Sequence, residues 1–185
     1  MKKSRFIQTL VAVTVLCFGT TAFAATQVVV NGSTTVLPVA QAAAEAYMKS
    51  RSDVSISISG GGSGNGIKAL IDGTTDIANA SRFLKDKEVS LAMEKGVYPV
   101  PFRIAMDAIV PIVHPRNPVK DLTIEQLSLI YQGKIRNWKE VGGEDLQIVI
   151  VSRDTSSGTY EVWEEKVLHK AKVSPRAQLQ ASNGA

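Results

Sequence analysis

An α/β layer protein with parallel strands is what this sequence predicts. Two observations carry that expectation. A unit of short strand, small polar loop and helix occurs three times along the chain, and strands alternating with helices give a parallel sheet covered by helices. The composition, 44% hydrophobic and 21% charged, is that of a chain with a core of its own rather than a disordered one.

The first residues stand apart. Met1 to Ala24 has a basic start, an apolar run from Leu10 to Phe18 and the small-residue pattern Ala22-Phe23-Ala24 before Ala25, the design of a cleavable secretory signal peptide. The run is too short to cross a bilayer as a mature helix. Cleavage after Ala24 would send the chain to the bacterial periplasm and remove Cys17, the single cysteine. Disulfides, thiol catalysis and cysteine-ligated metals then fall away. A lipid anchor on Cys17 would want a small residue before it, where this chain has Leu16. Lys2, Lys3 and Arg5 supply most of the formal +4 charge. The remainder is nearly neutral, with no Lys/Arg run and no interleaved aromatics, so nucleic acid and anionic membrane surfaces are not expected partners.

Taken in order, Thr26 to Asn31 reads as a β-branched strand running into Asn31-Gly32. Pro38 suits a first helical turn and Val39 to Met48 is Ala-rich, which predicts a helix after the loop Gly32 to Leu37. Val54, Ile56 and Ile58 alternate with serines as a second strand, Gly60 to Gly66 reads as a loop, and Ile67 to Ile71 begins a helix. Thr75 to Ala80 is a third candidate strand and Asp86 to Lys95 a helix stopped by Gly96. Tyr98 to Val113 is extended, interrupted by Pro99, Pro101 and Pro111. After the turn-rich His114 to Pro118 come a helix over Leu122 to Tyr131, a strand over Gln147 to Val151 and a helix over Tyr160 to Lys170. The chain closes on Ser182-Asn183-Gly184-Ala185, where no strand or helix is predicted.

Chemistry is carried by three loops: Gly32 to Thr35, Gly60 to Gly66 and Arg153 to Thr159. Each sets hydroxyls and backbone amides at a predicted helix N-terminus, which can cradle a tetrahedral oxyanion without a metal. Any turn favours Gly and Ser, so the weight lies in three such loops in comparable positions. Arg153 adds a forked donor suited to phosphate; its alternative is a surface ion pair with Asp154. The glycine loop is no nucleotide motif, because Gly66 is followed by Ile67-Lys68 and the spacing is not G-x-G-x-x-G. His114 and His169 offer neither a catalytic triad nor a zinc site. Trp138 and Trp163 read as packing residues.

On these residues the sequence resembles the periplasmic phosphate-binding proteins that feed an ABC-type phosphate importer. The elements that carry the resemblance are Asn31 to Pro38, the Ser-Gly-Gly-Gly-Ser-Gly-Asn-Gly-Ile run from Ser59, Thr75 to Arg82, Leu122 to Gly143 and Arg153 to Thr159. It implies a two-lobed periplasmic-binding-protein-like fold of type II: a first α/β lobe over 25–106 and a second, partial lobe over 107–185. Inorganic phosphate would sit between them, held by Thr34, Thr35, Ser63, Ser81, Arg82, Arg153, Ser157, Gly158 and Thr159, and closure would present both lobes to the importer's membrane permease. A monomeric, non-enzymatic receptor is expected, with no cofactor and no metal.

Two departures from the family follow. Some members place an aspartate where this chain has Arg82, and there it accepts the proton of hydrogen phosphate. In a related subset that also reads Ala-Ser-Arg, the arginine binds the anion or bridges the lobes. Asp76 is expected to bond backbone amides instead. Members also continue beyond Ser182-Asn183-Gly184 with a segment returning to the first lobe, so the resemblance implies a fold incomplete at its C-terminus that exposes core surface. Rival readings are a receptor for sulfate, molybdate or tungstate, a phosphate-ester hydrolase using a cleft serine, and an adhesion or signalling module.

Overall fold

The computed structural model describes residues 25–185; the stretch 1–24, where a cleavable signal peptide is expected, lies outside the described residues. Three parallel strands form the first sheet: β1 (Thr26–Gly32), β2 (Val54–Ser59) and β3 (Ile77–Asn79), in the order β2-β1-β3. The valine-rich β1 takes the central place, with Val30 in register with Ile58 on one side and Ile77 on the other. A strand flanked on both edges reads as a continuous apolar run, as Val28 to Val30 does.

Helices α1 (Leu37–Ser50), α2 (Ser63–Ile71) and α3 (Asp86–Glu94) complete this half. Pro38 sits in the first turn of α1, where its missing amide costs nothing. The glycine stretch behaves differently from the expected loop, because α2 already begins at Ser63. Gly66 explains why: a Cβ there would lie 2.5 Å from both Asn31 O and Gly32 Cα. The glycines thus let the first turn of α2 lie directly on the end of β1. Ile67, Ile71 and Ala92 pack beneath, with Ala80, Leu84 and Val97 at the edge.

β3 is shorter than the run Thr75 to Ala80 suggests. The Thr75 hydroxyl donates to Val29 O at 2.8 Å, and Asp76 Oδ2 accepts from Val29 N at 2.8 Å. Side chains therefore supplement the single backbone bond there, from Asp76 N to Val29 O at 2.9 Å, and Asp76 has the backbone-bonding role expected of it.

The second half comprises α4 (Ile124–Tyr131), a 3₁₀ turn at Trp138–Val141, β4 (Val151–Arg153), α5 (Gly158–Lys166) and β5 (Gln178–Gln180), with β4 and β5 parallel. Three expectations shift here. The strand placed at Gln147 to Val151 pairs only from Val151, where β5 becomes available, while Gln147 forms an isolated antiparallel bridge with Asn137. β5 itself was not predicted, and it gives the end of the chain a strand. The helix expected over Tyr160 to Lys170 stops at Lys166, since His169 and Lys170 adopt left-handed φ of 49° and 71° while the Lys170 amide donates back to Glu164 O. Leu127, Trp163, Val167 and Leu168 form the core of this half, and the Tyr131 and Trp163 rings lie 4.8 Å apart. Trp163 is the packing residue its sequence context predicts; Trp138 is half-buried.

Between the halves, residues 98–113 run extended without pairing to any described strand. Their apolar side chains face outward, with Phe102 84%, Met106 82% and Ile112 90% exposed.

Candidate functional site

Every loop that the sequence marks for anion chemistry leaves the carboxyl end of a parallel strand. Thr34 and Thr35 follow β1, Ser63 follows β2, Ser81 and Arg82 follow β3, and the segment from Arg153 to Thr159 ends β4 and opens α5. In β2-β1-β3 the chain steps from β1 to one neighbour and then crosses to the other, so β1 is a switch point, where open α/β sheets bind ligands.

The two halves meet at these loops. Thr35 Oγ1 lies 3.4 Å from Thr159 Oγ1, Gly64 N donates to Ser156 O at 2.9 Å, and Ser156 Oγ donates to Gly61 O at 3.2 Å. Gly158 makes a closer approach: a Cβ on it would come within 2.5 Å of Ser63 Oγ and 2.6 Å of Ser81 Oγ. The two serine hydroxyls are 3.2 Å apart, and Ser63 Oγ also accepts from Ser81 N at 3.1 Å. Ser63 is wholly buried.

Arg153 carries the formal charge of the site. Its Nε donates to Gln180 O and its Nη2 to Ala181 O, each at 3.0 Å, and its Nη1 donates to Asn183 Oδ1. All three partners are neutral, and among the described residues Arg153 forms no ion pair. Burial pulls its pKa below the ordinary arginine value, opposed by the Asp154 carboxylate. The Asp154 side chain is turned to its own loop, accepting from Ser156 N at 2.8 Å and Ser156 Oγ at 2.6 Å, so the alternative of an Arg153–Asp154 surface pair does not hold. A partly buried cation satisfied only by neutral acceptors leaves room for an anionic partner.

Arg82 is the opposite case. Its guanidinium donates to both Glu88 carboxylate oxygens at 2.8 Å and to Phe83 O at 2.9 Å, and its Nε lies 2.8 Å from Glu161 Oε2, close but not aligned as a hydrogen bond. Lys85 Nζ reaches the same Glu161 oxygen at 2.5 Å. Glu88 belongs to the first half and Glu161 to α5, so Arg82 bridges the halves. Its donors are engaged by carboxylates and by the Phe83 carbonyl. Ser157 is the N-cap of α5, its hydroxyl accepting from Tyr160 N at 3.4 Å. Its capping leaves the amides of Gly158 and Thr159 at the open helix end.

The structure therefore gathers Thr34, Thr35, Arg153 and Thr159 at one place and Ser63, Ser81 and Gly158 at an adjoining buried contact. Sequence reasoning missed two participants. Asn183 joins Arg153 to Thr34 and Thr35, with Thr34 Oγ1 donating to its Oδ1 at 3.2 Å and its Nδ2 donating to Thr35 Oγ1 at 3.1 Å. The signal for it was the Asn-Gly pair that also closes β1. Glu161 sits among Glu164 and Glu165 on α5, and nothing in the sequence distinguishes it.

A larger cavity of about 680 Å³ lies beside this site, lined by Ile109, Ile112, Leu127, Trp138, Val149 and Trp163 among others, with Arg153, Thr159 and Asn183 at one end. Its walls are apolar, so the anion chemistry belongs to its rim.

The family model for a PBP superfamily domain matches residues 19–185. The chain belongs to the PBP superfamily. It is 33% identical over 161 residues to Protein SphX of Synechococcus elongatus, covering 84% of this chain and 47% of that protein. It is 36% identical over 146 residues to the phosphate-binding protein PstS of Staphylococcus saprophyticus, covering 77% of this chain and 46% of that one. Among solved structures it resembles a Clostridium perfringens chain described as a phosphate ABC transporter substrate-binding protein with bound phosphate, at TM-score 0.76 and 45% identity over 85% of this chain and 63% of that one. An ABC-type phosphate transport receptor from Vibrio cholerae follows at TM-score 0.66 and 35% identity, covering 85% of this chain and 64% of that one. The chain spans about half the length of the curated relatives it matches.

Proposed function

We propose that this chain binds inorganic phosphate between its two halves, as part of an extracytoplasmic receptor that delivers the anion to the membrane permease of an ABC importer. The single observation that carries the reading is Arg153, a partly buried guanidinium with no carboxylate partner, beside the hydroxyls of Thr34 and Thr35 and the open end of α5. The relatives' names agree with that chemistry: one is a phosphate-binding protein, and the Clostridium perfringens structure is described as a phosphate ABC transporter substrate-binding protein.

In this reading the halves 25–106 and 107–185 act as two jaws. Thr34 and Thr35 donate from one side. Arg153, Thr159 and the amides of Gly158 and Thr159 donate from the other. Charge-assisted bonds to an arginine and to a helix N-terminus are the strong ones for an oxyanion. The Ser63, Ser81 and Gly158 contact sets how closely the jaws approach. Binding and release need no bond chemistry, so a receptor role without catalysis suffices.

Calorimetric titration with phosphate tests this directly. Binding by the parent chain, with at least a hundredfold loss in Arg153→Met, is the expected result. Binding unchanged by that substitution would remove the reading's main support. One observation keeps a second reading open. Among the described residues no carboxylate hydrogen-bonds Arg153, Thr34 or Thr35, and such a group would repel a fully ionised anion while accepting a proton from hydrogen phosphate. Competition with sulfate, molybdate and tungstate between pH 5 and 8 would decide between phosphate and a broader oxyanion specificity.

A further inference from the structure

We propose that the Asn183 carboxamide is a built-in occupant of the anion site, holding Arg153, Thr34 and Thr35 together until an oxyanion displaces it. The inference rests on the anion-binding reading above and adds a competitor to it. Two donors, the Arg153 guanidinium and the Thr34 hydroxyl, converge on one oxygen, Asn183 Oδ1. That is the environment an oxyanion oxygen requires. The amide nitrogen of the same side chain donates to Thr35 Oγ1, which in turn lies within reach of Thr159 Oγ1. One neutral side chain thus engages three of the residues that the sequence assigns to the anion and touches the network of a fourth.

The topology explains how it gets there. β5 runs parallel to β4, with Arg153 in register with Gln180, so the residues after β5 emerge at the same carboxyl edge as the anion loops. Arg153 also holds this segment through Gln180 O and Ala181 O, which fixes where the Asn183 side chain arrives. A carboxamide oxygen accepts hydrogen bonds without net charge. It can satisfy the donors in the empty site, yet it yields to an anion, whose charge-assisted bonds are roughly twice as strong.

Occupancy by Asn183 lowers the apparent affinity for the anion in proportion to the fraction of molecules in which the site is free. If the plugged form holds about nine molecules in ten, Asn183→Ala should bind inorganic phosphate about tenfold more tightly, equivalent to about 1.4 kcal/mol. Asn183→Asp should bind more weakly than the parent at pH 7, because a carboxylate pairs with Arg153. Its affinity should recover as the pH falls through the ordinary aspartate range near about 4. Asn183→Gly repeats the first test with a different backbone.

The measurement is calorimetry of the purified chain and the three variants with phosphate. Tighter binding by the Ala and Gly variants together with pH-dependent rescue of the Asp variant supports the proposal, including the case in which the parent binds too weakly to detect. A parent that binds and small variants that bind equally or more weakly would overturn it while leaving the phosphate reading intact. Absence of binding in the parent and all variants would overturn both.

Discussion

Arg82 follows β3 and Arg153 ends β4, comparable places at the carboxyl edge, yet their surroundings assign them different work. Arg82 is enclosed by Glu88 and Glu161 with only 7% of its side chain exposed, so removing it deprives two half-buried carboxylates of their shared partner. Breaking such a cluster costs about 3–5 kcal/mol, and Lys85 beside Glu161 places Arg82→Met toward the lower end. Urea unfolding should show this as a fall in midpoint at constant slope; a loss of under about 1 kcal/mol would mean the cluster is effectively solvated. The same cluster sets a pH dependence. Burial pushes Glu88 up, but the bonds from Arg82 and from the Lys85 amide outweigh it and hold its pKa below the ordinary value of 4.5. A depressed carboxylate adds stability that is complete above its unfolded pKa and is lost as the pH falls through its folded one. Unfolding midpoints should therefore hold steady from pH 7 to 5 and decline below about pH 4.5. Arg82→Met should lessen that decline, since the Glu88 pKa then rises. An unchanged acid profile in the variant would assign the acid sensitivity to other carboxylates.

At the level of elements, what the sequence announced was whatever local chemistry decides. Thr123 illustrates it: its hydroxyl accepts from Gln126 N at 3.1 Å and the Gln126 side chain accepts from Thr123 N at 2.9 Å, a reciprocal cap that begins α4. Thr123→Ala should cost about 1 kcal/mol by thermal or urea unfolding. A change below a few tenths would mean the cap is dispensable. What the sequence hid depends on partners remote in the chain. β5 is Gln-Leu-Gln, with nothing β-branched in it, and becomes a strand only because β4 lies alongside. The first turn of α2 looked like loop because its glycines serve a close approach that no local pattern reveals. Among the candidate residues, Arg153 and the threonines were marked by type and position, and the structure brings them together. The carboxylate partners of Arg82, the capping role of Ser157 and the arrival of Asn183 were not so marked, because each follows from a neighbour more than local in sequence or from helix-end geometry. Gly158 was legible as a site residue, but its closeness to Ser63 was not. Gly158→Ala should force those loops apart and weaken phosphate binding by at least tenfold, and retention of full affinity would show that the halves do not need this approach.

For the molecule as a whole, the unusual feature is the distribution of apolar surface. Each half has a small core, yet the extended run 98–113 leaves Phe102, Ile104, Met106, Val110 and Ile112 two-thirds or more exposed. These residues alternate along an extended chain, so one face of the run is apolar and a single adjoining surface could cover it. A contiguous exposed patch of this kind exceeds the scattered apolar residues of an ordinary monomer surface and favours association. The monomer expected with the family resemblance is thus set against a surface that composition does not reveal. The purified chain should enhance the fluorescence of an apolar dye such as ANS and show rising light scattering with concentration. Replacing Phe102, Ile104 and Met106 together by serine should reduce both. The anion loops lie outside this run, and affinity for phosphate should stay within about threefold, the additivity expected of sites without shared contacts. Weak dye binding by the parent, or unchanged scattering after the triple substitution, would place the association surface elsewhere. Loss of phosphate affinity with the same change would instead mean that the run helps to hold the two halves in register at the cleft.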